Sequence, residues 1–108
     1  SSAKNEDVQS AGYVKLGDCV LKYASDGASL LNQKQETVWK QSYEMTDSVA
    51  DVREETAVVA DKEGTLMYIF KKDAPVGAVE TSMPILKARV AQSGVVAAIL
   101  PGRREDMD

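Results

Sequence analysis

Ala57-Val58-Val59-Ala60 is an unbroken apolar run, followed at once by the polar segment Asp61-Lys62-Glu63-Gly64 and a second apolar run, Leu66-Met67-Tyr68-Ile69-Phe70. Runs this short, bounded by turn residues and rich in β-branched and aromatic types, read as strands. Strict alternation would mark a strand with one face in water. A continuously apolar strand is expected to be covered on both faces. The pair of runs therefore predicts a hairpin about Lys62-Glu63-Gly64 that needs a layer of structure on each side.

The layers are suggested by repetition. Cys19-Val20-Leu21-Lys22-Tyr23-Ala24-Ser25-Asp26-Gly27 can be set above Thr56-Ala57-Val58-Val59-Ala60-Asp61-Lys62-Glu63-Gly64, which places the two turn glycines 37 residues apart. Val52 and Val90 are 38 residues apart, as are Val58 and Val96. Val95-Val96-Ala97-Ala98 reads as a second copy of the small apolar core strand. Met45-Thr46 and Met83-Pro84 stand at a similar offset. A unit of 37–40 residues with four short strands matches the period and strand count of a β-propeller blade. The fold class expected is all-β, with units at about 12–45, 46–83 and an incomplete 84–100, about two and a half blades. A small β-sandwich or barrel would bury the same runs.

Between these runs the chain reads as strands and turns. Residues 1–11 form a polar lead-in, disordered or an edge strand. Strands are expected at Tyr13–Leu16, Cys19–Tyr23, Ala28–Asn32 and Thr37–Tyr43, with turns at Gly17-Asp18 and Ser25-Asp26-Gly27. A short helix within 28–45 is an alternative. The next unit opens with Ser48–Arg53 and closes with Val76–Thr81, after a turn at Lys71–Pro75 where proline removes a backbone donor. Ile85–Val90 and Val95–Leu100 flank a turn at Gln92-Ser93-Gly94, and 101–108 is a charged tail. Repeat units bury their faces only against neighbours. The expectation is a fragment of a larger protein that self-associates, or pairs an exposed strand edge with a protein partner.

The segments Gly17–Asn32, Thr37–Lys40 and Thr56–Lys71 resemble the quinoprotein-type and WD40-like propeller repeats of bacterial extracytoplasmic proteins, nearest to membrane-anchored propeller-like domains. The resemblance spans residues 12–100. It implies an extracytoplasmic or cell-surface setting and a non-enzymatic interaction or scaffold role. Other readings are a piece of a propeller hydrolase or lyase whose active site lies in other blades, and a self-contained ligand-binding β-domain. Only the first unit has the tryptophan of such repeats, Trp39, with Val79 at the comparable place in the second. No position matches the quinone or metal ligands of quinoproteins, so no cofactor is expected.

Individual residues carry little chemistry. The chain has no histidine and one cysteine, Cys19, so Ser-His and Cys-His dyads, Cys/His zinc sites and an internal disulfide are all excluded. A net charge of −4 with scattered cations argues against nucleic acid and anionic membranes. No apolar run approaches membrane-helix length. Trp39 reads as an aromatic docked between blades rather than a stacking platform for a sugar or peptide. Tyr13, Tyr23, Tyr43 and Tyr68 are expected to pack in the same way, with hydroxyls reaching water. Asp18, Asp26, Asp61 and Glu63 stand at turns, where carboxylates most often bond their own backbone. The pairs Glu54-Glu55, Glu105-Asp106 and Asp47/Asp51 read as solvated rather than catalytic, and Cys19 as a buried, unreactive thiol.

Overall fold

The computed structural model describes residues 11–101, which form ten strands and no helix. Strands β1 (Gly12–Leu16), β2 (Cys19–Ala24), β3 (Gly27–Leu31) and β4 (Thr37–Ser42) make one antiparallel sheet in sequential order. Strands β5 (Ser48–Arg53), β6 (Thr56–Asp61), β7 (Leu66–Lys71) and β8 (Pro75–Glu80) make a second of the same order. A hairpin of β9 (Lys87–Val90) and β10 (Val96–Ile99) follows. The span considered for a helix is β3, a turn and β4. Pro75 lies not in a loop but at the first position of β8, an edge strand that tolerates its missing donor.

The second sheet sits between the other two layers. Along β6, alternate side chains leave for opposite cores. Ala57 and Val59 join Phe70 against Leu16, Leu21, Ala28 and Leu30 of the first sheet. Val58 and Ala60 join Met67 against Ile85, Ala88 and Val90. All four β6 residues are fully buried, and each buried valine is worth about 1.5–3 kcal/mol in transfer free energy. A two-layer sandwich covers one face of each sheet, whereas here the middle sheet is covered on both. In β2, among the described residues, only one face is covered: Cys19 and Leu21 are buried, Val20 and Lys22 exposed.

Val95 to Ala98 depart from expectation. The run is not a second fully buried core strand. Val95 is 60% exposed and Ile99 45% exposed, because among the described residues no layer covers the outer face of the hairpin. The offset also slips. Val96 and Ala98 face inward, to the core shared with the second sheet, whereas Val58 faces outward from the first. The inward-facing equivalents of Val96 and Ala98 are Ala57 and Val59. A two-residue turn, Glu54-Glu55, joins β5 to β6, but five residues, Ala91–Val95, join β9 to β10. One residue of slip exchanges the two faces of a strand.

The bulges realign the outer strands as well. Leu30 pairs with Trp39 and Ile69 with Gly77, each just before a register shift. The second-sheet position equivalent to Trp39 is thus Gly77, not Val79. Nothing among the described residues lies within 4 Å of where a Gly77 side chain would begin.

Glycine has a particular task in the β6–β7 turn. There Glu63 takes the left-handed conformation, at φ 66°. A Cβ on Gly64 would fall 2.5 Å from an Asp61 carboxylate oxygen, so the glycine permits a close approach.

The linkers between layers repeat one hydrogen-bond scheme. Tyr43 N–H donates to the Asp26 carbonyl (3.2 Å) and Met45 N–H to the Ser25 carbonyl (2.8 Å). In the next unit Thr81 N–H donates to the Thr65 carbonyl (2.8 Å) and Ile85 N–H to the Gly64 carbonyl (2.7 Å). The acceptors are the last two turn residues before the third strand in both units, while the donors stand two residues apart in the first and four in the second.

Candidate functional site

The turns β1–β2, β5–β6 and β9–β10 converge at one end of the stack, together with the end of β7. They enclose an open cleft of about 670 Å³. Its wall carries the cations Lys15, Arg53 and Lys71, the carboxylates Glu54 and Glu55, and the backbone of Gly17 and Gly94. Glu54 and Gly94 have positive φ, 58° and 86°. The cleft is polar and of mixed charge, suited to holding a charged group. Among the described residues, no group of three or more Cys, Asp or Glu side chains is close enough to share a metal ion. Sequence reading singled out Glu54 and Glu55 but not their neighbours, because the wall is assembled from separate turns and no linear spacing marks it.

The candidate aromatics join the first and second sheets. Trp39 is half-buried and stacks on Phe70 with centroids 5.0 Å apart and planes 19° apart. Its indole N–H donates to the Lys72 carbonyl at 3.1 Å. It docks between adjacent sheets. Tyr68 lies tilted against Tyr43 at 5.3 Å, Tyr23 packs at the rim of the same core, and Tyr13 is exposed.

Tyr43 corrects the expectation that these hydroxyls reach water. Its Oη is buried and, among the described residues, has no hydrogen-bond partner. Burial is the main cause that raises its pKa; the Ala24 backbone lies near enough to oppose it, but not in hydrogen-bond geometry. An unsatisfied buried hydroxyl costs about 1–3 kcal/mol. Tyr43→Phe is therefore expected to raise stability by about 1 kcal/mol, read as a higher urea midpoint with an unchanged slope. A lower midpoint would mean that the hydroxyl is satisfied.

Three of the acidic candidates, Asp18, Asp51 and Asp61, tie one layer or linker to another. Asp18 pairs with Lys72 at 2.6 Å, joining the β1–β2 turn to the β7–β8 turn. Its pKa is lowered, first by the hydrogen bond from Lys72 and then by its charge, while that of Lys72 is raised mainly by the same bond. A depressed folded-state pKa gives stability that is present above the unfolded value and lost as pH falls through the folded one. The pair is solvent-exposed, so only a small loss is expected on acidification, and one that Lys72→Met abolishes in a pH series of urea melts.

Asp61 does not bond its own turn through its side chain. Its Oδ1 accepts from the N–H groups of Thr46 (3.0 Å) and Asp47 (2.9 Å), fixing the linker that leaves the first sheet. Asp51 is not a solvated partner of Asp47. Its half-buried Oδ2 accepts from Val90 N–H at 2.8 Å, tying β5 to β9. Asp51→Ala leaves that donor unpaired and is expected to destabilise by about 1–3 kcal/mol. Faster amide exchange confined to β9 and β10 checks the assignment, and unchanged exchange there would refute it.

Asp26, Asp47, Glu54, Glu55 and Glu63 are exposed. Glu105 and Asp106 lie outside the described residues. Cys19 is buried, and its thiol donates weakly to Asp18 Oδ1 at 3.6 Å. Burial, then the Asp18 contact, raises its pKa, the direction that disfavours the reactive thiolate.

No curated protein and no solved structure matches the chain. The profile of a family of unknown function, DUF5711, matches residues 1–107, and the chain belongs to that family.

Proposed function

We propose that the chain is a non-enzymatic interaction or scaffold module built from propeller-type blades, part of a larger extracytoplasmic bacterial protein. The observation that carries this reading is the stacking of two four-stranded meanders and a hairpin in chain order, with β1 against β5 and β5 against β9. First strands lying side by side, with linkers bonded by one repeated scheme, is the relation expected between blades around an axis. The extracytoplasmic setting rests on the sequence resemblance alone.

Such a module leaves surfaces for partners at both ends of the stack. The outer face of the first sheet presents Lys15, Lys22 and Lys40 among Tyr13, Val20 and Leu31. The outer face of the hairpin presents Lys87 and Arg89. Stacking these two faces in successive copies would set cations against cations, so association is expected through strand edges rather than faces. Sedimentation velocity from low to high micromolar concentration tests the reading. Reversible, concentration-dependent association with native β-content is expected. A monomer throughout would count against it.

A further inference from the structure

Among the described residues, the edge of β10 is unlike every other strand edge. The remaining sheet-edge strands each carry charge: Lys15 in β1, Lys40 in β4, Asp51 and Arg53 in β5, Glu80 with Pro75 in β8, and Lys87 and Arg89 in β9. Charge and proline are the usual protections against adventitious pairing. From Val95 to Leu100 the chain has neither. By its place in the repeat, β10 corresponds to β2 and β6, which are both interior strands paired on two sides. Among the described residues, β10 is paired only with β9.

The ladder fixes which groups of β10 point away from β9. Ala91 N–H donates to the Val95 carbonyl at 2.7 Å, in the same register that pairs Arg89 with Ala97 and Lys87 with Ile99. Antiparallel pairs alternate between bonded and non-bonded. The N–H groups of Ala97 and Ile99 therefore turn toward β9, and those of Val96 and Ala98 toward the open edge. The same reasoning applies to β6, where Lys62 N–H donates to the Asp47 carbonyl. It directs Ala57 and Val59 N–H to β7. These two residues are the structural equivalents of Val96 and Ala98, and they pair with Phe70 and Tyr68.

We propose that the β10 edge is a strand-addition site. It takes an extended, antiparallel segment with large apolar or aromatic residues at the two alternate positions opposite Val96 and Ala98. The inference rests on the interaction-module reading and names the surface and the chemistry of its partner. Main-chain bonds from Val96 and Ala98 supply the pairing, and the alternate apolar side chains extend the core formed by Val58, Met67, Ile85 and Val90.

The chain itself provides a probe. A fluorescein-labelled peptide of residues 65–72, Thr-Leu-Met-Tyr-Ile-Phe-Lys-Lys, would set Phe70 opposite Val96 and Tyr68 opposite Ala98. Saturable binding by anisotropy is expected, with amide chemical-shift changes in the protein centred on Val96, Ala98 and Leu100. Ala98→Pro removes an outward donor and is expected to weaken binding at least about tenfold. The wild-type shift map keeps the site testable should that variant unfold. No saturable binding, shifts centred on another edge, or undiminished binding by folded Ala98→Pro would overturn the assignment. Sedimentation reads association through any surface, so the module reading can stand where the edge assignment fails.

Discussion

Replacing Val58 with aspartate is expected to leave the chain unfolded under conditions where the parent is native. Val58 has no exposed surface and faces Ile85, Ala88 and Val90 from the centre of β6. Its cross-strand neighbours are Asp51 on β5 and Ile69 on β7. A carboxylate there would stand opposite Asp51, also negative, and among the described residues no cation is buried in the core to pair it. Transferring an isolated charge to such a site costs more than the about 5–15 kcal/mol that small domains have in reserve. The alternative, protonation, still buries a polar group without a partner. Far-ultraviolet dichroism and amide dispersion should both lose the native signature, while Val58→Ala should retain it. A cooperative urea transition for Val58→Asp would show that the second core is not closed around β6.

That prediction depends on a feature legible in one dimension. Four consecutive apolar residues in β6 implied cover on both faces, and both cores are there. Trp39, expected between adjacent blades, lies between the first and second sheets. The errors come from the places where geometry depends on loop length. Aligning Val58 with Val96 assumed equal turns, but the β9–β10 connection is longer, and the slip turned an expected buried run into a half-exposed one. Val79 was matched to Trp39 because a linear offset does not register the bulges after Leu30 and Ile69. Asp51 and Asp61 looked like ordinary polar residues of strand and turn. Their roles as acceptors for Val90, Thr46 and Asp47 depend on chain segments up to 39 residues away. The cleft wall was illegible for the same reason, since Lys15, Arg53, Lys71 and Gly94 meet only once three turns have been brought to one end.

Truncating Phe70 should separate the first sheet from the second. Phe70 is fully buried and belongs to the core shared with Leu16, Leu21 and Leu30. Its ring lies 5.0 Å from Trp39 and 6.1 Å from Tyr68, near-parallel to both. Phe→Ala in a core costs about 3–5 kcal/mol, and lost ring stacking accounts for about 0.5–1.5 kcal/mol of such a change for each pair. The damage should concentrate on the seam, because the neighbouring ties are short-range and pass through the same corner. Trp39 bonds the Lys72 carbonyl, and Lys72 bonds Asp18. Tilting Trp39 into the cavity would disturb both. Trp39 is the only tryptophan, so its emission reports this interface directly. Phe70→Ala is expected to shift that emission toward the exposed value at lower urea than the loss of β-dichroism, breaking a transition that coincides in the parent. Phe70→Leu should keep the two probes together and lose less stability. If the probes stay coincident in Phe70→Ala, the two sheets unfold as one cooperative unit and their coupling runs through the linker bonds at Asp61, Tyr43 and Met45 rather than through the aromatic stack.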